Sequence, residues 1–132
     1  AVDRDTEAFN AVLAAIRMPR KTDDDRAARE AAMAAANLEA TLVPLGVLEH
    51  CVEALELAFV TASDGNPNSV SDAGVAAACA VAAAEGASLN VRINLGGLEG
   101  DVSKIVERQE KALAKSREMG AAVLSVVDER LS

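Results

Sequence analysis

Residues 65–95 read GNPNSVSDAGVAAACAVAAAEGASLNVRINL, and the fold turns on whether this stretch is one helix or a helix followed by a strand. From Val70 to Ala84 it is mostly small and apolar, which predicts a helix that is central to the protein. Its end is ambiguous. From Leu89 to Leu95 apolar and polar residues alternate, the period of a strand carrying Asn90, Arg92 and Asn94 on one face. No other segment supplies a convincing partner strand, and a lone strand leaves its ladder groups unpaired. The helix is therefore extended through Leu95, which puts Asn90 and Asn94 on a shared face and turns Arg92 elsewhere. With that choice the whole chain becomes all-α.

The flanking segments follow the same period. Upstream, Ser63 to Ser69 is a loop, and Ser69 with Asp72 has the spacing of a capping box for a helix starting near Val70. A longer helix precedes it, from Asp23 to about Thr61, opened by a second capping box of Thr22 and Asp25. Pro44 lies inside that helix, removes a backbone donor and predicts a kink or a break near Thr41 to Pro44. The first helix, Asp3 to Arg17, has an apolar stripe of Phe9, Val12, Leu13 and Ile16 and ends before Pro19. Downstream, Gly96, Gly97 and Gly100 break the chain, Asp101 caps, and a last helix spans Val102 to Arg130. The expected architecture is a bundle of long Ala-rich helices forming one domain over residues 1–132.

Composition narrows the function. The 132 residues are 51% hydrophobic but only 2% aromatic, so burial comes from many small contacts between closely packed helices, within the chain and across a subunit boundary. A formal charge of −8 and a pI near 4.6 speak against nucleic acid as partner, since phosphate binding relies on clustered Lys and Arg. Charged residues interrupt every window of about 20 residues, so no membrane span is expected. Cys51 and Cys79 stand apart without zinc spacing and read as reduced thiols of a cytoplasmic protein.

Candidate chemistry gathers at the two ends of the 70–95 helix. Asp72, in its first turn, feels the positive end of the backbone dipole, which suits a base or an ion-pairing group; it equally suits a cap partner for Ser69. Asn66, Asn68 and Ser69 can donate and accept hydrogen bonds, or can simply make the turn. Amides such as Asn90 and Asn94 near the end of an apolar helix must find partners or be exposed, and Arg92 could hold a carboxylate or an ordinary ion pair. Arg20 and Lys21, with Lys104 or Arg108, are positive sites in an acidic chain, or a solvated loop and surface. His50, alone in mid-helix, reads as structural.

Several separated motifs, in order, carry a family resemblance: DTEAFNAVLAAIRMPR at the front, the arginine-rich start of the second helix, VPL at Val43 to Leu45, GNPNSVSDAGVAA, and LNVRINL. Together they resemble the formiminotransferase-cyclodeaminase family, in its folate-processing module. The resemblance implies an all-helical dimer that binds folate at a site built from more than one subunit. It implies either cyclisation of formiminotetrahydrofolate to 5,10-methenyltetrahydrofolate with loss of ammonia, or interconversion of methenyl- and formyl-tetrahydrofolate by hydrolysis. No metal or organic cofactor is implied; the tetrahydrofolate derivative, with or without a polyglutamate tail, is the substrate. Family members ordinarily carry a Gly-rich segment ahead of the point matched by Ala1 to Asp5, so the chain is expected to be the C-terminal portion of such a member.

Within that resemblance Asp72 becomes the residue for proton transfer. Asn66, Asn68, Ser69, Asn90 and Asn94 become groups that read the pterin edge, Arg92 a carboxylate partner, and Arg20 and Lys21 partners of the anionic glutamate tail. The cyclodeaminase reaction is the first expectation and the cyclohydrolase the alternative. A non-catalytic helical oligomerisation module is the rival from another class.

Overall fold

A computed structural model describes residues 2–132; Ala1 lies outside the described residues. It contains α1 (Val2–Arg17), α2 (Asp23–Asp64), α3 (Val70–Leu95) and α4 (Ser103–Leu131), with one 3-10 turn at Pro67–Ser69. No strand occurs among the described residues, and the alternating segment Leu89–Leu95 forms the last turns of α3. Val91 decides that outcome, because it is fully buried with Leu45, Leu48 and Ala112, while Leu89 and Ile93 project outward. A helix accommodates that split on opposite sides; a strand would turn all three the same way.

The start of α2 is the predicted capping box. Thr22 Oγ1 accepts the Asp25 N–H at 3.0 Å, and Asp25 Oδ2 accepts the Thr22 N–H at 3.1 Å. The predicted break at Pro44 is absent, and α2 runs continuously for 42 residues. Pro44 has no N–H to give the Ala40 carbonyl four residues back. Asn94, reaching across from α3, donates its Nδ2 to that same carbonyl at 2.7 Å. A side chain on the neighbouring helix thus supplies the hydrogen bond that the proline withholds.

The last three helices alternate in direction. The end of α2 meets the beginning of α3 and the end of α4 in a core of Leu55, Ala62, Val70, Ala77 and Val123. The middle of α2 meets the later part of α3 and the beginning of α4 around Leu45, Leu48, Ala84, Val91 and Ala112. Burying each of these leucines contributes roughly 1.5–3 kcal/mol. Between α3 and α4 a polar contact is sealed in, with Gln109 Nε2 donating to Ser88 Oγ at 2.8 Å.

The central helix is α2, which packs on α1, α3 and α4; the sequence pointed to α3 instead. Apolar content all round had suggested burial all round, yet α3 covers only the sides facing α2 and α4. Val75, Leu89 and Ile93 remain 63%, 60% and 77% exposed. In α1 the buried positions are Ala8 and Ala15, and Phe9 and Ile16 of the predicted stripe face outward.

The expectation about bilayer-length segments needs correcting. By length and composition α2 and residues 67–95 each hold an 18-residue window apolar enough to cross a membrane, with mean hydropathy 1.5 and 1.4. Alanine raises hydropathy without adding bulk, and in residues 67–95 Asp72, Glu85 and Arg92 are spaced widely enough to leave such a window. Only a third of each window is buried within the fold.

Candidate functional site

The asparagine loop is built by its own side chains and anchored from a distance. Asn66 Oδ1 accepts the Asn68 N–H at 3.0 Å, and the Ser69 N–H donates to the Asn66 carbonyl at 2.8 Å, closing the turn that Pro67 opens. Arg130, near the end of α4, holds the segment leading into it. Its Nη1 donates to the carbonyls of Ala62 at 2.7 Å, Ser63 at 3.1 Å and Gly65 at 3.3 Å, and Nη2 adds a second bond to Gly65 at 3.3 Å. These are carbonyls at the negative end of α2, the place where a cation is most favourable.

The predicted Ser69–Asp72 capping box does not form, since Ser69 makes no side-chain cap hydrogen bond. Its backbone (φ −104, ψ 4) belongs to the 3-10 turn rather than to the extended conformation from which a serine reaches forward over a helix start. Asp72 is exposed in the first turn of α3, with none of the capping duty that its spacing suggested. Asn66 and Asn68 are also exposed, and Ser69 is half-buried.

At the other end of α3 the three polar residues part company. Asn90 and Arg92 are exposed, whereas Asn94 is half-buried and committed to the Ala40 carbonyl. Beside it Asn37 Nδ2 donates to the Gly97 carbonyl at 2.9 Å and ties α2 to the turn after α3. Asp101 Oδ1 accepts the Ser103 N–H at 2.9 Å, and hydrogen bonding from the Ser103 side chain and backbone holds its carboxyl below the ordinary value of 3.8. A cleft of about 360 Å³ opens between Phe9, Val12, Asn37, Asn94 and Gly97. A larger one of about 770 Å³ runs along α2 past Arg29, Met33, Asn37, Leu98 and Ile105, where the buried Arg29 Nε has no partner.

Asp72 and Asn90 lie 18 residues apart on α3, five helical turns, so they share one face about 27 Å apart. Within the chain they do not converge, and neither cleft includes Asp72, Asn66 or Asn68. Arg20 and Lys21 are exposed in the turn before α2, at the Asn90 end of the bundle. Of the other cations considered, Arg108 is taken by a two-pronged pair with Glu49, both contacts 2.9 Å. His50 is exposed, with Nδ1 2.5 Å from the Gly46 carbonyl one turn back.

Arg130 and Asn37 had no signal in the sequence, because their partners lie about 60 residues away and nothing local distinguishes them. Arg29 falls in the arginine-rich start of α2 that carried part of the family resemblance, but no role had been given to it. Fold and site together define an all-helical protein that presents an amide-rich loop and a free carboxylate at the mouth of an alanine-rich helix.

Comparison with known proteins makes the class specific. Residues 1–115 match the formiminotransferase-cyclodeaminase family, and the chain belongs to it. It is 45% identical over 95 residues to a methenyltetrahydrofolate cyclohydrolase of Methylorubrum extorquens, covering 72% of this chain and 46% of that protein. It is 33% identical over 131 residues to the formimidoyltransferase-cyclodeaminases of Rattus norvegicus and Mus musculus, covering 98% of this chain and 24% of each of theirs. The chain therefore spans less than half the length of these relatives.

Proposed function

We propose that the chain belongs to an enzyme of folate one-carbon metabolism that hydrolyses 5,10-methenyltetrahydrofolate to a formyl-tetrahydrofolate. The observation that carries this reading is the 45% identity to a methenyltetrahydrofolate cyclohydrolase over 72% of the chain. It moves the alternative of the sequence reading ahead of the cyclodeaminase. In the proposed reaction water adds to the carbon bridging N5 and N10, and the proton it sheds passes to a carboxylate. One carbon–nitrogen bond then opens as the adduct's hydroxyl gives up its remaining proton and becomes the carbonyl; the departing nitrogen takes up one proton in its place, a net single proton is released to solvent, and the carbon remains on the other nitrogen as a formyl group.

Asp72 is assigned the proton transfer. It is free of the capping box, sits at the positive end of α3, and is reachable from solvent. Asn66, Asn68, Ser69, Asn90 and Asn94 are assigned to orienting the pterin, Asn94 through its Oδ1, since its Nδ2 is engaged. Arg92 is assigned a substrate carboxylate, and Arg20 and Lys21 the glutamate tail. The working unit in this reading is a homo-oligomer, in the simplest case a dimer, acting in the cytoplasm without metal or organic cofactor.

Supplying purified protein with methenyltetrahydrofolate and following loss of its absorbance tests the reading. Formyl-tetrahydrofolate formed without ammonia is the expected result. Asp72→Asn is expected to lower turnover by about a hundredfold or more while folate binding persists. Unchanged turnover in the variant removes Asp72 from the mechanism. A second reading, cyclodeamination, is favoured by the alignment over 98% of the chain with the rat cyclodeaminase. There N10 attacks the formimino carbon and ammonia departs protonated, so ammonia released from formiminotetrahydrofolate would select it. A chain inert toward both substrates and binding no folate would be the non-catalytic module.

A further inference from the structure

The cleft of about 360 Å³ between α1, α2 and the end of α3 has a one-sided chemistry. Asp5 and Phe9 lie one turn apart on α1, so their side chains leave the same face of the helix, and both line the cleft while remaining exposed. Of the two aromatic residues in the chain, Phe59 packs against the core, whereas Phe9 is 60% exposed and shares the cleft with the outward-facing Ile93. The Asp5 carboxylate enters no ion pair among the described residues. Two amides complete the lining, and each has spent a donor on the fold: Asn37 Nδ2 on the Gly97 carbonyl at 2.9 Å and Asn94 Nδ2 on the Ala40 carbonyl at 2.7 Å. Fixing the nitrogens fixes the amide planes and leaves each Oδ1 as an acceptor. A carboxylate and two amide oxygens around an aromatic face suit a flat ligand rich in N–H donors and repel an anion. The volume falls at the low end of the roughly 300–1,000 Å³ usual for ligand pockets, room for a bicyclic ring but not for a long substituent as well.

We propose that this cleft holds a 2-amino-4-oxopyrimidine ring, stacked on Phe9, with Asp5 accepting from the ring N–H and from the amino group beside it. Those two donors lie side by side and match the two oxygens of a carboxylate, as the paired N–H groups of a guanidinium do. Asn37 and Asn94 present Oδ1 to further N–H groups of the fused ring. The ring is the pterin if the folate reading holds, on which this assignment rests; guanine carries the same edge. Asp5 and Phe9 thereby join Asn94 as groups that set the position of the ring, and a substituent on it extends out of the cleft.

The chain has no tryptophan or tyrosine, so pterin fluorescence can be followed without overlapping protein emission. Titration of 6-methylpterin with the protein is expected to give saturable quenching as the ring stacks on Phe9. Lumazine, in which an oxo group replaces the 2-amino group, is expected to compete about tenfold or more weakly, because its oxygen would face the Asp5 carboxylate. Asp5→Asn is expected to weaken pterin binding about tenfold or more and to erase the preference over lumazine. Phe9→Leu should weaken both ligands about threefold or more and keep the preference. Failure of the unsubstituted protein to discriminate pterin from lumazine overturns the assignment, and so does a preference that survives Asp5→Asn. Guanosine monophosphate binding more tightly than 6-methylpterin overturns the pterin as occupant. Methenyltetrahydrofolate turned over with the same KM by the parent and by Asp5→Asn overturns the cleft and leaves the folate reading standing. Discrimination that depends on Asp5, in a protein that turns over neither methenyl- nor formiminotetrahydrofolate, sinks the folate reading and leaves the cleft standing.

Discussion

Asn94 replaces a hydrogen bond that Pro44 cannot make. Its Nδ2 lies 2.7 Å from the Ala40 carbonyl, the acceptor that any other residue at position 44 would serve from within α2. Asn94→Ala leaves that half-buried acceptor without a partner and is expected to cost about 1–2 kcal/mol in urea unfolding. In a Pro44→Ala background the helix supplies its own donor, so the same substitution should cost measurably less. A double-mutant cycle with no coupling between the two positions would contradict the account.

That pair also marks how far the sequence could be read. The all-α class, the four helices and the Thr22–Asp25 box were legible because they depend on local period and spacing. The continuity of α2 was not, since the donor that rescues it stands 54 residues away. Ser69 and Asp72 had the right spacing for a cap, but a box also needs extended backbone at its first residue, and Pro67 initiates a 3-10 turn there instead. Alanine hid the orientation of α3, because a helix of small apolar residues looks alike on every side. Asp72 and the asparagines were picked out by residue type alone; that Asp72 and Asn90 fall at opposite ends of one helix followed from extending it through Leu95.

Gly120 fixes the approach of α4 to α3. A Cβ at this position would come 2.3 Å from Val81 Cγ2, and the branched valine has no long flexible end to swing aside. Gly120→Ala is therefore expected to destabilise the protein by about 1–3 kcal/mol despite the better helix propensity of alanine. Val81→Ala should recover much of that loss when combined with it. Thermal melting of the three variants checks the pair, and a Gly120→Ala protein as stable as the parent refutes the close packing.

Arg130 stabilises the loop that precedes α3 rather than acting within it. Arg130→Met keeps much of the aliphatic stem but removes the hydrogen bonds to Ala62, Ser63 and Gly65. The expected cost to stability is about 1–2 kcal/mol, the scale of a partly exposed hydrogen bond to a charged group. Faster amide exchange at residues 65–70 should accompany it, with exchange in the Leu45 to Val91 core unchanged. If the loop orients substrate as proposed, KM should rise more than kcat falls, because Arg130 touches no reacting atom. Exchange left unaltered in the loop would remove the anchoring role.

Acid should weaken the α3–α4 surface through Glu85. Two hydrogen bonds from Arg117, at 2.6 and 2.9 Å, and the guanidinium charge hold the Glu85 carboxyl below its ordinary value of 4.5. A carboxylate with a depressed folded pKa stabilises the fold above its unfolded value, and that contribution disappears as pH falls through the folded one. Stability should thus decline as pH drops below about 4.5, and Asp101, lowered from 3.8 by its bonds to Ser103, should extend the decline further down. Because the Glu85–Arg117 pair is solvent-exposed, its share is small and salt-sensitive. Glu85→Gln should flatten the upper part of the acid limb, measured by urea midpoints between pH 3 and 6, roughly the carboxylate range. An acid limb identical in variant and parent would show that the pair exerts no pH-dependent hold on the two helices.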